Sequence, residues 1–305
     1  MKLTFLGTSA GESYPALWCH CPNCEYARQH GGRNIRRNSC ALVDSDLLLD
    51  LSNHIFDSAL RFQQDITRVT TLLVTHNHRD HFDSQHLVWR NQAWRQDGTA
   101  RGKMVEASWE KDGPENCMSM MGPRFTPVPF LDIYGHESVM DVIRQNERID
   151  TTHLERYAMA FHTLERGQRF SLRDGTAVTA LVSHHGTPGS VFNYLIERQG
   201  KTLLYALDCG GYDEDMLEIL RSKRFHCVVL EGTFGKMPLE FSMHQNQNKN
   251  LRFYRWLEEN GLWANEPNFY LSHMCPHWTP PYDQYSEEME KYGIHVAYDG
   301  LTIEF

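Results

Sequence analysis

The sequence predicts an α/β fold in which helices cover a sheet core. Short apolar runs bounded by turn residues recur along all 305 residues, and longer amphipathic segments separate them. With 41% hydrophobic and 23% charged residues, the composition is that of a globular protein, and the length is enough to bury a large core. We therefore expect a single domain, spanning residues 1–305, in which strands and helices alternate.

The period of the apolar residues predicts the individual elements. Runs rich in Val, Leu, Ile, Phe and Tyr predict strands at 2–6, 41–43, 47–50, 70–75, 132–134, 177–183, 191–197, 202–207, 227–231, 268–272 and 295–298. Amphipathic segments predict helices at 55–62, 84–94, 138–146, 213–222, 244–258 and 282–292. The segment around 96–130 is too long for a plain connection, so we predict an insertion or a lid, with an irregular surface loop as the alternative.

The net charge limits the partners. A formal charge of -9 disfavours a nucleic-acid polymer or an anionic membrane, because both reward cationic surfaces. The N-terminal apolar run is short, as in a first strand rather than a signal peptide, and no later run approaches the roughly 18 apolar residues of a membrane span. We expect a cytoplasmic protein whose partners are a small-molecule substrate and, at most, a second copy of the chain in a homodimer.

The stretch VTHNHRDH at 74–81 carries three imidazoles and a carboxylate within six residues. It lies between a predicted strand and a predicted helix, so its polar side chains can converge on one point. Imidazole nitrogen and carboxylate oxygen together suit Zn, Mn or Fe. A single histidine is more often structural, but four ligand-type side chains at this spacing indicate a metal site: His76, His78, Asp80 and His81.

The spacing His-x-His-x-Asp-His resembles the signature of the metallo-β-lactamase superfamily. The resemblance implies a four-layer αβ/βα sandwich with two central mixed sheets and a metal site at one sheet edge. Later ligands are then expected after strands, where this chain has His184 and His185 in VSHHG, Asp208 in ALDCG and His273 in LSHMC. We prefer His185 to His184, and both stay open.

The resemblance also implies two divalent ions, Zn or Mn, at this site. Two cations about 3.5–4 Å apart lower the pKa of a trapped water and neutralise a substrate oxyanion. In this scheme one ion is held by His76, His78 and His185, the other by Asp80, His81 and His273, and Asp208 is shared by both.

Three cysteines, Cys19, Cys21 and Cys24, form a CxCxxC motif, whereas the other five are scattered along the chain. Structural zinc usually takes four tetrahedral ligands, so a fourth must come from elsewhere. The candidates are Cys275 and His277 in HMCPH, and we prefer His277. A disulfide or plain buried thiols are the alternatives, which a cytosolic chain with clustered cysteines disfavours.

The CxCxxC motif after GTSAG, then HxHxDH and a late LSH, make the chain similar to one branch of the superfamily, the phosphodiesterases of the carbon–phosphorus lyase pathway. That resemblance implies hydrolysis of small phosphate diesters, cyclic ones included, by a hydroxide that bridges two ions, with Asp80, Asp208 and His244 catalytic. His244, expected at a helix start, would protonate the leaving alkoxide. A histidine that faces solvent is the alternative.

Two further polar features lie near these motifs. Asp50 lies in the stretch LLLDLS. Its position corresponds to one that, in relatives, holds the metal-binding loop (76–81 in this chain, called the metal loop) in place without binding the metal itself. A simple turn after a strand is the alternative. The cluster of Arg33, Arg36 and Arg37 would either attract a phosphate or form a solvated loop.

Other functions stay open on the same fold. One is a role like that of coenzyme PQQ biosynthesis protein B, which shares the fold and the cysteine motif. Another is hydrolysis of thioesters, lactones or β-lactams, whereas a tRNA nuclease fits poorly because the chain is acidic. The GTSAG stretch matches the GxSxG motif of serine hydrolases, but that motif needs a helix directly after the serine, and Pro15 and the cysteines follow instead.

Overall fold

The computed structural model describes residues 1–90 and 128–305, and two seven-stranded sheets form its centre. Helices flank both sheets, which confirms the predicted α/β sandwich. The insertion or lid predicted around 96–130 lies outside the described residues except at 128–130, and it stays a prediction.

The first sheet contains the N-terminal strands and the last strand of the chain. Its strands β3 to β6 run parallel, whereas β1, β2 and β14 pair antiparallel. The sheet order is β14-β1-β2-β3-β4-β5-β6. The bounds are β1 (Lys2–Gly7), β2 (Cys40–Val43), β3 (Leu47–Leu49), β4 (Thr71–Leu73), β5 (Leu131–Gly135), β6 (Met159–Thr163) and β14 (Thr302–Glu304).

The second sheet is built from the strands between β6 and β14. Its strands β10 to β13 run parallel, and β7, β8 and β9 form antiparallel pairs beside them. The sheet order is β13-β12-β11-β10-β9-β8-β7. The bounds are β7 (Arg169–Ser171), β8 (Ala177–Val182), β9 (Phe192–Arg198), β10 (Lys201–Ala206), β11 (Cys227–Glu231), β12 (Phe269–Ser272) and β13 (Ile294–Val296).

The helices lie in the connections between strands. In the described ranges they are α1 (Pro22–His30), α2 (Ile55–Arg61), α3 (Gln85–Val88), α4 (Glu137–Arg144), α5 (Glu214–Arg221), α6 (Gln247–Glu259) and α7 (Tyr282–Glu290). Single 3₁₀ segments occupy Gly32–Asn34, Ile66–Arg68 and Thr151–Tyr157. None of these helices combines the length and the apolar content that crossing a bilayer requires.

Three apolar layers hold the sandwich together: one between the sheets and one under the helices on each outer face. The strand β10 shows how both sheet faces are buried. Tyr205 packs in the middle layer, whereas its neighbour Ala206 packs in an outer layer, because side chains alternate along a strand. Burying an aromatic side chain such as Tyr205 contributes about 1.5–3 kcal/mol.

The observed elements differ from the predicted ones mainly at sheet edges. The strands β6, β7 and β14 are not predicted by the sequence, and each forms an edge of its sheet and is partly exposed. The helix predicted at 244–258 begins instead at Gln247, because the Asn246 side chain accepts a hydrogen bond from the Lys249 amide and caps it there. The unpredicted α1 begins inside the cysteine motif, with Pro22 in its first turn.

A buried arginine joins the two sheets at one edge of the sandwich. Arg198, at the end of β9, is 6% exposed, and its guanidinium donates to Asp46 (2.8 Å) and Asp44 (2.8 Å) in the β2–β3 turn and to Asp174 (2.6 Å) after β7. Burying a guanidinium requires such pairing. These contacts lie at the sheet edge opposite to the ends of β3, β4, β8 and β10.

Candidate metal centre

Polar side chains follow five strands, all at the same edge of the sandwich. These strands run in the same direction within their sheets, so their carboxyl ends meet. The side chains are Asp50 after β3, the 76–81 loop after β4, His185 after β8, Asp208 after β10 and His273 after β12. The strand ends therefore gather residues that are up to 223 positions apart in the chain, from Asp50 to His273.

Three of these residues have a left-handed backbone that non-glycine residues rarely adopt. The φ angles are +64° at Asp50, +48° at Asp208 and +59° at His273. Such a conformation costs on the order of 1–3 kcal/mol and persists where the surrounding structure enforces it. Backbone strain of this kind, at the turns that leave three parallel strands, is typical of a functional site.

The first group of ligand-type atoms contains three histidines. His76, His78 and His185 each offer a ring nitrogen, and these atoms all lie within 4.8 Å of one another. His185 Nε2 is 3.5 Å from His78 Nδ1. His184 instead points to Asp213, with Nε2 2.7 Å from Oδ1. The structure therefore brings His185 into the group and leaves His184 outside it.

The second group contains Asp80, His81 and His273, whose ligand atoms also lie within 4.8 Å of one another. His81 Nε2 is 3.0 Å from His273 Nε2, and Asp80 Oδ2 is 3.4 Å from the first and 3.5 Å from the second. Two imidazole nitrogens and a carboxylate facing one point form a donor set that suits a divalent ion such as Zn.

Asp208 lies between the two groups. Its Oδ2 is 2.8 Å from His81 Nε2, 3.3 Å from His76 Nε2 and 3.6 Å from His273 Nε2. The side chain is almost completely buried. Asp208 thus occupies the place that a carboxylate shared by two ions would take.

Two polar atoms of this cluster have no hydrogen-bond partner in the protein. His76 Nε2 and Asp208 Oδ1 are both buried and make no hydrogen bond. His244 Nδ1 is 3.3 Å from Asp208 Oδ1, but it donates to another carboxylate. Buried polar atoms in proteins are almost always paired, so two orphans in one cluster need another partner. A divalent cation fits both, and these nitrogen and oxygen donors suit Zn or Mn.

The charge states of the ligands also fit a cation. Burial lowers the pKa of His76 well below its usual value, so its imidazole is neutral. Burial alone would raise the pKa of Asp208, but His273 and His81 hold it well below its usual value, and His81 does the same for Asp80. Metal binding needs neutral imidazole and ionised carboxylate, which His76, Asp80 and Asp208 supply.

His81 shows how strongly the site attracts positive charge. Its burial lowers its pKa, but the carboxylates of Asp80, Asp50 and Asp208 outweigh burial and raise the pKa well above its usual value. Those carboxylates stabilise a proton on His81 in the protein alone. A divalent cation would meet the same field, and its binding would displace that proton.

Fixed acceptors orient the buried histidines. Each ring donates its Nδ1 proton to a neighbour, which leaves Nε2 directed at the cluster. The pairs are His76 with Thr75 Oγ1 (3.1 Å), His81 with Asp50 Oδ2 (2.8 Å), His185 with the Met243 carbonyl (3.1 Å) and His273 with Thr233 Oγ1 (2.9 Å).

Asp50 therefore has the supporting position that the resemblance implies. In addition to His81, it accepts hydrogen bonds from the Thr75 amide (2.7 Å) and hydroxyl (2.9 Å) at the start of the metal loop. Thr233 and Glu231 have no counterpart in the sequence analysis, although Thr233 contacts His273 and donates to Glu231. The only signal for them was the Glu-Gly-Thr stretch that begins at the last residue of β11.

His244 lies beside the cluster, in the loop before α6 and not at a helix start as predicted. Its Nδ1 donates to Glu231 Oε2 (2.9 Å). Burial lowers the pKa of His244, but Glu231 and Asp208 outweigh burial and raise it to about 9. His244 also lines a cavity of 380 Å³ over the cluster, so the solvent-facing alternative is wrong.

The CxCxxC motif forms a second group of ligand atoms, with Cys19, Cys21 and Cys24 within 4.8 Å of one another. A backbone hydrogen bond from Cys21 lowers the pKa of Cys19 to about 7, whereas burial raises the pKa of Cys24 to about 12. All described cysteines are free, which argues against the disulfide alternative.

Both candidates for a fourth ligand lie next to this motif. The His277 side chain interacts with the Cys19 thiol. Cys275 donates instead to Glu12 Oε1 at 3.6 Å and lies 3.7 Å from His277 Nδ1. These contacts favour His277, and its role as a zinc ligand stays a prediction.

Two members of the arginine cluster, Arg36 and Arg37, have a structural role, so both predicted alternatives are wrong for them, whereas Arg33 is exposed and lies over the Tyr298 ring at 4.3 Å. Arg36 is 1% exposed, and its Nη1 donates to Thr8 Oγ1 (2.8 Å) and the Ala297 carbonyl (2.6 Å). Arg37 pairs with Asp57 and Asp299. Three closely spaced arginines suggested an exposed cluster, so the sequence did not indicate that Arg36 faces the interior.

Comparison with known proteins supports the fold. A family model described as a beta-lactamase superfamily domain matches residues 117–261. This segment contains His185, Asp208 and His244, whereas the 76–81 loop and His273 lie outside it. No curated protein matches the chain.

Solved structures match over nearly the full length. A diphosphatase from the PhnP family is 18% identical, with a TM-score of 0.66, covering 100% of this chain and 96% of that one. Zn²⁺-bound PqqB from Methylobacterium extorquens is 18% identical, with a TM-score of 0.69 and 100% of both chains covered. The short form of human tRNase Z is 17% identical, with a TM-score of 0.58, covering 100% and 99%. These similarities show that the chain has the metallo-β-lactamase fold, and its residues 117–261 match the beta-lactamase superfamily domain.

Proposed function

We propose that the protein is a metal-dependent phosphodiesterase that hydrolyses small phosphate diesters, cyclic ones included. The observation that carries this proposal is His244, an imidazole outside the predicted ligand set that lines the cavity over the predicted ligands. A proton donor beside a dinuclear centre suits the departure of an alkoxide. The names of two similar structures, a diphosphatase and a tRNase, also refer to phosphate chemistry.

Two divalent ions, Zn or Mn, would activate water and neutralise phosphoryl oxygens when bound. In our proposal His76, His78 and His185 hold one, Asp80, His81 and His273 hold the other, and Asp208 contacts both. A structural zinc would be held by Cys19, Cys21, Cys24 and His277, beside the chain segment that follows His273.

The residues of the chain have distinct tasks in this reaction. Asp50 and Thr233 hold His81 and His273 in the orientation that points Nε2 at the cluster. Glu231 accepts a hydrogen bond from His244 Nδ1, so Nε2 is the ring nitrogen that is available to a substrate. The His244 imidazolium can therefore give a proton to the leaving oxygen while Glu231 fixes the ring.

His244→Ala is expected to slow hydrolysis of diesters with alkyl leaving groups by about 10²–10⁴-fold, because an alkoxide needs a proton to depart. Diesters that release 4-nitrophenolate should lose much less. The measurement is kcat/KM for a matched alkyl and aryl pair. His184→Ala is the control, because that side chain pairs with Asp213 outside the cluster. An equal loss on both diesters would contradict the donor role.

The proposed function is tested by assaying the purified protein with Zn and with Mn on substrates of each class. We expect turnover of aryl phosphodiesters, 2′,3′-cyclic nucleotides or ribose cyclic phosphates, and little turnover of thioesters, lactones or β-lactams. Preference for a thioester, lactone or β-lactam would overturn it. Bound ions with no turnover of any ester would instead support a role like that of PqqB, whose solved structure this chain resembles over its full length.

We also infer that the protein acts in the cytoplasm on a small molecule. The seven cysteines in the described ranges are unpaired, as expected in a reducing compartment. The charge of -9 disfavours RNA, so a tRNA substrate is not part of the proposal. Any self-association would give a homodimer.

A further inference from the structure

We propose that the cavity over the metal centre selects phosphate diesters that carry a single negative charge and a flat ring. This inference rests on the proposed function and names its substrate class. Two lining residues outside the ligand set carry it: Glu12, which disfavours a second anionic group, and Phe234, which contacts the ring.

The charges of the cavity support the selection of substrates that carry a single negative charge. Its acidic lining residues are Glu12, Asp80 and Asp208, and none of its lining residues in 1–90 and 128–305 is lysine or arginine. The ions would balance Asp80 and Asp208, and the cationic charge would stay at the metal centre and the imidazole beside it. That charge serves one phosphodiester. A second phosphate on the same substrate would meet the Glu12 carboxylate with no described lysine or arginine beside it.

Hydrogen bonds fix the turn that carries Glu12. The Ala10 amide donates to the Met274 carbonyl (3.1 Å), and the Ser13 amide donates to the Ala10 carbonyl (3.0 Å). A Cβ atom on Gly11 would lie 3.5 Å from Asp80 Oδ2, so the turn runs along the metal loop.

The Glu12 side chain is 45% exposed, and its Oε1 lies 3.8 Å from His277 Nδ1. Glu12 Oε1 also accepts a hydrogen bond from the Cys275 thiol (3.6 Å), and Glu12, Cys275 and His277 offer ligand-type atoms within 4.8 Å of one another. As a zinc ligand His277 would be neutral and would not cancel the Glu12 charge. Glu12 thus places a negative charge on the lining of the cavity. Its neighbour in the chain, Gly11, lies beside the predicted ligand Asp80.

Phe234 forms an aromatic wall next to the proton donor. Its ring centre is 4.9 Å from that of His244 and 5.6 Å from that of Phe241. Its amide donates to the Gln245 carbonyl (3.0 Å), which closes the 234–245 loop. The ammonium of Lys249 donates to the carbonyls of residues 210, 241 and 244, so this loop is anchored as well. A fixed ring beside the leaving-group donor favours a substrate that stacks on it.

Three compounds that release 4-nitrophenolate test both parts. The first is thymidine 5′-(4-nitrophenyl phosphate), which has one negative charge. The second is the same compound with an added 3′-phosphate, and the third is methyl 4-nitrophenyl phosphate, which lacks the base. We expect the metal-loaded wild type to prefer the first over the second by at least about tenfold in kcat/KM, because like charges repel. This preference should shrink as salt rises from about 20 to 200 mM, because salt screens the repulsion.

Glu12→Gln should reduce this preference at least about fivefold. Glu240→Gln is the matched control, since that carboxylate pairs with Arg252 and does not line the cavity. Phe234→Ala should raise KM for thymidine 5′-(4-nitrophenyl phosphate) about tenfold more than for the methyl compound, whereas Phe234→Tyr should retain the wild-type ratio.

The outcomes separate this inference from the proposed function. Turnover of none of the three compounds would overturn the proposed function, and the inference with it. Equal kcat/KM for the first two compounds, or a preference that Glu12→Gln and salt both leave unchanged, would overturn the charge selection alone. Equal KM changes for the thymidine and methyl compounds in Phe234→Ala would overturn the ring contact.

Discussion

Asp208→Ala is expected to reduce phosphodiester hydrolysis by at least about 10³-fold, because the variant loses the carboxylate placed to contact both ions and the charge that stabilises them. The structure puts Asp208 Oδ2 within 3.6 Å of nitrogens from both ligand groups. The measurements are kcat with saturating Zn or Mn and the metal content of the purified variant. We expect fewer than two exchangeable ions per chain.

The fold should survive this change. Asp208 lies at the sheet edge and its Oδ1 makes no hydrogen bond, so the apolar layers do not depend on it. Circular dichroism and thermal unfolding check this point. Asp213→Ala is the control, because that exposed carboxylate follows five positions later and pairs with His184 and Arg166. Wild-type turnover in Asp208→Ala would remove the shared-carboxylate assignment.

Cys21→Ser is expected to destabilise the protein by several kcal/mol and to release one zinc, because structural zinc binding is coupled to folding. The cysteine motif lies against the segment after His273, where Asn23 Nδ2 donates to the Pro276 carbonyl at 2.9 Å. Loss of the zinc would loosen the N-terminal segment from the metal edge. The wild type should carry about three ions per chain, two exchangeable and one tightly held.

Urea unfolding and elemental analysis of the two proteins measure this effect. Cys227→Ala is the matched control, since this core thiol lies in β11 away from the motif. It should lower stability through lost packing while zinc content stays constant. If Cys21→Ser unfolds at the wild-type urea concentration with all its zinc, the motif is not a metal site.

The sequence predicted the parts of the fold that bury apolar residues on both faces. Strands such as β10 and β11 have continuous apolar runs because each face meets a core layer. The edge strands β6, β7 and β14 escaped prediction because one side faces solvent and their patterns are weak. For α1, the proline and cysteines in the first turn hid a helix that has little apolar content.

The candidate site was predictable where its residues have a fixed spacing or follow a clear strand. His76 to His81 form one motif, and Asp208 and His273 each end an apolar run. The supporting residues Glu231 and Thr233 were missed because their importance comes from neighbours about 40 positions away, such as His273. Likewise, sequence alone could not tell that Arg36 points inward to Thr8.

The ion pairs of the buried Arg198 affect which parts of this fold can change in sequence. Arg198 joins the two sheets through Asp44 and Asp46, and Asp174 of its own sheet completes the pairing, at the margin that is remote from the metal centre. Loops at the opposite margin can therefore change in length and composition without loosening the contact between the sheets. Natural or engineered changes in these loops can therefore alter substrate specificity while the two sheets keep their packing.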